Sequence, residues 1–210
     1  MRFADLDAVT VDGYGTLLTL VDPVPSLVRS LAERGLERDP ALVRQAFAAE
    51  VAYYRPEALR GRNPETLAAL RRDCAGVFLE AAGADLDPGS FVDAFMASIR
   101  FQPLPRAPAM LSSLRARGLD LAVVSNWDIG LAEHLERLGI HGLFSTVVTS
   151  AEAGAAKPDP TIFHLALERL GVEARRALHV GDEDEDERGA AAAGMKFAPA
   201  PLDTAFEGWT

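Results

Sequence analysis

Cysteine occurs once in this chain and lysine twice, and no apolar run approaches the length of a membrane span. A lone cysteine, Cys74, cannot close an internal disulfide and fits a reducing compartment. A bilayer span needs about 20 consecutive apolar residues, so no membrane partner is expected. The opening Met1-Arg2-Phe3-Ala4-Asp5 puts an acid where a signal peptide carries its apolar stretch. Positive charge is also scarce. Lys and Arg number 21 against 31 Asp and Glu, a net charge of −10. Phosphate backbones are held by basic patches, so a nucleic-acid partner is disfavoured. These absences predict a cytoplasmic globular protein and leave monomer or homodimer open. Lysine is the sharpest scarcity: only Lys157 and Lys196 stand against 19 arginines, so each lysine needs a reason.

What is present is ordinary for a packed domain: 210 residues, 49% hydrophobic and 25% charged. That length buries a sizeable core, either as one domain or as a domain with a large insertion. Short, β-branched apolar runs occur at Ala8-Val9-Thr10-Val11, Leu121-Ala122-Val123-Val124, Thr146-Val147-Val148 and Ala177-Leu178-His179-Val180. Their near-continuous apolarity predicts strands covered on both faces, as in parallel sheets. Between the later runs lie helical segments. One is predicted from a cap at Asp128 to Leu138, stopping at Gly139. Another opens at Asp159-Pro160, carries Ile162, Phe163, Leu165, Ala166 and Leu170 on one face, and ends at Gly171. Strand and helix in alternation predict an α/β protein with a doubly wound, mostly parallel, Rossmann-like sheet.

From about Pro23 to Arg100 the pattern changes to helices in series. Asp39-Pro40 and Asn63-Pro64 each place a cap before proline at the first helical position, and Gly35 and Gly83 serve as stops. The prediction is a core domain of residues 1–20 and 101–210, interrupted by an all-helical insertion of residues 21–100. The piece Pro103-Leu104-Pro105-Arg106 reads as the return hinge.

Four strand ends carry chemistry. The first is Asp12-Gly13-Tyr14-Gly15-Thr16-Leu17. Open α/β sheets bind ligands at the carboxyl ends of their strands, which puts Asp12 at the mouth of a site as a candidate nucleophile. Gly13 and Gly15 let the backbone turn sharply and bring its N–H groups close to an anion. Asp-Gly is equally a common turn start. Gly13 and Gly15 form no dinucleotide fingerprint, because Leu18 stands where a third glycine belongs. The second end is Ser125-Asn126-Trp127-Asp128, where a hydroxyl before a helix start suits an oxyanion or simply caps the helix. No nucleophile elbow or spaced histidine suggests a serine triad. The third signal is Lys157 in Ala156-Lys157-Pro158, a compact charge able to neutralise a carboxylate and a bound anion. The fourth is Gly181-Asp182-Glu183-Asp184-Glu185-Asp186-Glu187. Asp182, off the strand, and Asp186, one turn on, are candidate ligands for a hard cation such as Mg²⁺. Glu183, Asp184, Glu185 and Glu187 read as solvated acids at a helix start.

Together these signals resemble the haloacid dehalogenase superfamily, whose four motifs stand here in order: Asp12 to Leu17, Ser125-Asn126, Lys157-Pro158, and Gly181-Asp182 with Asp186. The helical insertion falls where that family places its cap. The resemblance implies that Asp12 attacks substrate to form a covalent intermediate that water hydrolyses. Ser125 and backbone amides near Gly13, Tyr14 and Asn126 would hold the transferring group, and Lys157 would offset charge. In the metal-dependent members Mg²⁺ is bound by positions corresponding to Asp12, the carbonyl of Tyr14, Asp182 and Asp186.

Tyr14 departs from the phosphatase pattern, which has a second aspartate there acting as acid and then base. A phenol is a poor base at neutral pH, and losing acid–base help costs about 10²- to 10⁴-fold in rate. The family's 2-haloacid dehalogenases also carry tyrosine here, which points to carbon–halogen cleavage. The fourth motif points the other way, because that subgroup works without metal and lacks the paired aspartates. Asp12, Asp182 and Asp186 facing Lys157 leave an excess of about two negative charges. Two like charges roughly 4 Å apart repel by about 4 kcal/mol at an effective dielectric of ~20. An acidic substrate then needs a divalent cation to balance the site. The preferred expectation is a Mg²⁺-dependent phosphatase acting on a small phosphorylated metabolite. A metal-independent 2-haloacid dehalogenase and a catalytically weak relative kept for binding or assembly are the alternatives. A receiver-type signalling domain is set aside, being about half this length and lacking a helical insertion.

Within the insertion, Tyr53-Tyr54-Arg55, Arg60 and Arg62 attract notice, and Arg55 is a candidate for substrate recognition by a closing cap. Tyrosines packing the cap core and arginines in water are the plainer reading. Cys74 shares a helix with Leu67, Leu70 and Phe78 and reads as inert packing. His134, His141, His164 and His179 are too scattered for a zinc signature.

Overall fold

Residues 2–209 are described by the computed structural model. The chain begins with β1 (Ala8–Val11) and β2 (Leu18–Val21), then four helices: α1 (Val24–Ala32), α2 (Pro40–Glu57), α3 (Pro64–Ala81) and α4 (Pro88–Ser98). It continues through β3 (Arg100–Pro103), α5 (Ala107–Ala116), β4 (Asp120–Ser125), α6 (Leu131–Arg137), β5 (Thr146–Thr149) and α7 (Ser150–Ala153). It ends with α8 (Thr161–Leu170), β6 (Ala177–Gly181), α9 (Asp184–Ala192) and β7 (Lys196–Pro199). Two compact units result: Met1–Thr19 with Gln102–Thr210, and Leu20–Phe101.

The first unit is built on a five-stranded sheet in the order β5-β4-β1-β6-β7. Its ladders are parallel, with Val9 opposite Leu121 on one side and Leu178 on the other. Strands flanked on both sides are mostly apolar, and β1, β4 and β6 are almost wholly buried. From β1 the chain winds outward through β4 and β5, then crosses back to β6 and β7. The carboxyl ends of β1, β4 and β6 therefore meet where the winding reverses, which is where such sheets bind ligands. Ile162, Phe163 and Ala166 of α8 and Ala190 of α9 form one cluster with Ala8, Val124 and Val148 of the sheet. Phe206 and Trp209 cluster with Phe3, at centroid distances of 5.7 and 5.4 Å from it.

The second unit is helical. Asp39 accepts a hydrogen bond from the Ala41 amide at 2.7 Å, and Asn63 and Thr66 form a reciprocal capping box. Each cap contributes about 1 kcal/mol, and proline at the first helical position pre-sets the backbone. The core stacks Phe78 against Phe91 and Phe95 at 6.0 and 5.3 Å, over Leu27, Leu31, Val43, Leu70 and Cys74. Tyr53 and Tyr54 pack against it. Arg60 donates to Tyr53, Glu57 and Asp73.

Three strands lie outside the sequence expectation. β2 and β3 form a two-stranded ribbon where the chain passes between units, and β7 is an edge strand. One helix start is corrected. Asp128 does not begin α6. Its carboxylate instead accepts from the Gly130 amide at 2.6 Å, closing a turn that delays the helix to Leu131. On α8, Leu167 is buried, whereas Leu165 and Leu170 are only half-buried, because the apolar stripe runs one position further round.

Candidate active site

All the strand-end residues lie within the first unit, and the sheet order explains why. Asp12 follows β1, Ser125 ends β4, and Asp182 follows β6, the strands on either side of β1. Lys157 comes from the segment before α8 and Asp186 from the first turn of α9. Lys157 Nζ donates to Asp12 Oδ1 at 2.5 Å and to Asp186 Oδ1 at 2.6 Å. The Ser125 hydroxyl donates to the same Asp12 oxygen at 3.1 Å. Asp12, Ser125, Lys157 and Asp186 are all buried, whereas Asp182 is exposed and accepts from the Thr16 hydroxyl at 3.1 Å.

One ammonium serves two buried carboxylates, and the protonation balance follows. Burial works against the Lys157 charge, but Asp12 and Asp186 outweigh it and push its pKa up. Burial also opposes ionisation of Asp186, yet hydrogen bonds from His179 and Lys157 hold its pKa low. For Asp12 burial wins over the pull of Lys157, and its pKa is raised. Burial raises the Asp182 pKa as well. Asp12, Asp182 and Asp186 each offer an oxygen within 4.8 Å of the others. Such a hard-oxygen donor set, its charge partly offset by Lys157, suits a hard divalent cation such as Mg²⁺.

Glycine is required at this site by contact. Gly15 has φ of +89°, and a Cβ there would lie 2.2 Å from Asp182 Oδ2. A Cβ on Gly13 would meet Ser125 Oγ at 2.8 Å, and one on Gly181 would meet Asp186 Cγ at 2.3 Å. Missing side chains at these positions are what let the carboxylates and hydroxyl approach the strand ends.

Asn126 bridges the segments. Its amide accepts from the Lys157 backbone N–H at 2.7 Å and donates to the Lys157 carbonyl at 3.2 Å and to Glu185 Oε2 at 3.1 Å. Glu183 stands exposed at the start of α9 as expected, whereas the reading of Glu185 as a merely solvated acid is corrected. Glu185 holds Asn126, and Glu183 forms a capping box with Asp186, its amide donating to Asp186 Oδ2 at 3.1 Å. The Tyr14 side chain is 45% exposed. Arg55 is exposed on α2, in the other unit. Trp127 is buried, its ring 5.9 Å from that of His134.

Sequence reasoning missed Thr10, Thr16 and His179. Fully buried His179 sits opposite Thr10 in the β1–β6 ladder, with Nδ1 2.7 Å from the Thr10 hydroxyl and Nε2 2.9 Å from Asp186 Oδ1. The available signal was a pair of polar residues in strands otherwise apolar enough to be buried.

The haloacid dehalogenase-like hydrolase family model matches residues 6–194, and the chain belongs to that family. It is 45% identical over 118 residues to haloacid dehalogenase-like hydrolase domain-containing protein 3 of Bos taurus, covering 54% of this chain and 47% of that protein. It is 42% identical over 126 residues to glyceraldehyde 3-phosphate phosphatase of Methanopyrus kandleri, covering 57% and 54%. These matches span only about half the length of the curated relatives. The fold is also that of L-2-haloacid dehalogenase from Xanthobacter autotrophicus, with a TM-score of 0.65 and 26% identity over 93% of this chain and 77% of that one.

Proposed function

We propose that this hydrolase is a Mg²⁺-dependent phosphatase acting on a small phosphorylated metabolite, with Asp12 as nucleophile. The observation that carries the reading is the meeting of Asp12, Asp182 and Asp186, two of which, Asp12 and Asp186, share the Lys157 ammonium. Three carboxylates and one lysine repel an acidic substrate unless a cation joins them. Asp12, the Tyr14 carbonyl, Asp182 and Asp186 would hold the ion. When bound, Mg²⁺ supplies charge balance and Lewis acidity toward phosphoryl oxygens.

The residues supply the rest. The Asp12 carboxylate attacks phosphorus, the P–O bond to the leaving group breaks, and the departing oxygen carries the electron pair away. Water then attacks the aspartyl phosphate, freeing inorganic phosphate and regenerating Asp12. Lys157 orients Asp12 and offsets its charge, while Ser125, Asn126 and the backbone at Gly13 and Tyr14 hold the phosphoryl oxygens. Tyr14 cannot replace a carboxylic acid as proton donor to a poor leaving group, so acyl and aryl phosphates are the preferred substrates. The similarity to a glyceraldehyde 3-phosphate phosphatase supports phosphoryl chemistry.

Dehalogenation is the second reading, favoured by Tyr14 and by the likeness to an L-2-haloacid dehalogenase. A paired assay separates the two. The protein is offered 4-nitrophenyl phosphate, acetyl phosphate and 2-chloropropionate, each with Mg²⁺ and with chelator. Metal-dependent phosphate release supports the proposal. Halide release indifferent to chelator transfers the assignment to the second reading. Rapid turnover of simple alkyl phosphates removes the leaving-group preference.

A further inference from the structure

Beneath the site a line of hydrogen bonds continues into the sheet. The Thr10 hydroxyl lies 2.7 Å from His179 Nδ1, His179 Nε2 lies 2.9 Å from Asp186 Oδ1, and Lys157 reaches that oxygen at 2.6 Å. An ionised Asp186 can only accept, so Nε2 carries the proton. The Thr10 hydroxyl can donate or accept, so it pairs with Nδ1 whichever role that nitrogen takes. The ring is fixed by packing as well. Phe163 meets it edge-on at 4.9 Å, and Phe197 lies at 6.4 Å. Asp186 thus receives Lys157 and His179 on Oδ1 and the Glu183 amide on Oδ2 at 3.1 Å, three donors that fix its plane.

We propose that His179, backed by Thr10, is a positioning residue that holds Asp186 where it grips Lys157 and so aims the lysine at Asp12. An apolar residue would fill this strand position at no desolvation cost. A fully buried imidazole is tolerated because both its nitrogens are paired. The two bonds link Thr10 through the ring to Asp186, which Lys157 also reaches. The catalytic consequence rests on the reading of Asp12 as nucleophile, but the placement of the lysine can be read without any turnover.

The scarcity of lysine makes the test direct. In protein labelled with ¹⁵N-lysine, the side-chain ammonium signals come from Lys157 and Lys196 alone, and Lys196→Arg assigns them. The buried, doubly bonded Lys157 ammonium is expected to exchange its protons slowly. In His179→Leu that exchange accelerates at least tenfold, and kcat for acetyl phosphate with Mg²⁺ falls about 10- to 100-fold while KM stays within twofold. His179→Gln, whose amide can donate to Asp186, restores slow exchange to within about threefold of wild type. Thr10→Val, close in shape and lacking only the hydroxyl, accelerates exchange by about threefold. Should His179→Leu fail to fold, the Gln and Val variants decide alone. Folded variants, judged by their backbone amide spectra, that leave Lys157 exchange at the wild-type rate overturn the proposal. A wild type with no phosphatase activity sinks the proposed function, and the exchange rates still decide the role of His179.

Discussion

At Gly15 a hydrogen atom does what no side chain could. The residue sits at φ +89°, and its Cα faces Asp182 so closely that a methyl group would overlap the carboxylate. Asp182 is exposed and held through its side chain by the Thr16 hydroxyl, so it would swing outward before the backbone moved. Gly15→Ala is therefore expected to weaken Mg²⁺ affinity at least about tenfold, read by calorimetric titration, with the fold retained. Unchanged affinity in a folded variant would remove Asp182 from the ligand set. At this scale Asp12, Ser125, Lys157, Asp182 and Asp186 were legible because each stands at a strand end or turn where chemistry-bearing residues have few structural reasons to be. Glu185 and His179 were not. Their roles depend on which strand lies beside which, and a glutamate in an acidic run or a histidine in an apolar run carries no mark of its partner.

Helix α2 carries a buried acid with no part in the proposed chemistry. Glu50 is 4% exposed, beside Cys74 of α3, to which it is hydrogen-bonded, and burial pushes its pKa up to about 7. The folded state thus prefers the protonated acid. Its contribution to stability is full below the unfolded value near 4.5 and is lost as pH rises through about 7. Glu50→Gln is expected to match wild type closely at pH 4.5 and to exceed it at pH 8 by up to about 3 kcal/mol in urea unfolding. An equal difference at both pH values would show that Glu50 titrates normally. The same helix illustrates what sequence reveals at the level of elements. Asp39-Pro40 and Asn63-Pro64 announce α2 and α3 because caps act locally. β2 and β3 were hidden because each of these four-residue strands is completed by a partner some 80 residues away, and Arg100, Gln102 and Pro103 break any apolar pattern. β7 was hidden likewise, since an edge strand needs apolar residues on fewer sides and its Lys196 and Pro199 read as loop.

Across the whole chain, acidic excess and parallel-sheet winding act together. Winding outward from a central β1 gathers strand ends from distant parts of the sequence, and with them three carboxylates. The order of the motifs and the helical stretch between the first and second were readable because crossovers in such sheets follow few rules. Electrostatic strain at this junction predicts that Mg²⁺ stabilises the fold. At free ion about 100-fold above Kd, binding adds about 2.7 kcal/mol, which for a chain of this size raises Tm by roughly 5–10 °C. Differential scanning calorimetry should show this rise in wild type and its loss in Asp182→Asn. No rise in wild type would mean that the acids hold no ion.

The most direct measurement concerns Asp12 itself. Protein quenched during turnover of acetyl phosphate with Mg²⁺ is reduced with borohydride, which converts an aspartyl phosphate to homoserine, and the peptides are weighed. The expected result is homoserine at residue 12 alone, absent when chelator replaces Mg²⁺. Phosphate release without modification of residue 12, or with modification at another carboxylate, would contradict nucleophilic attack by Asp12.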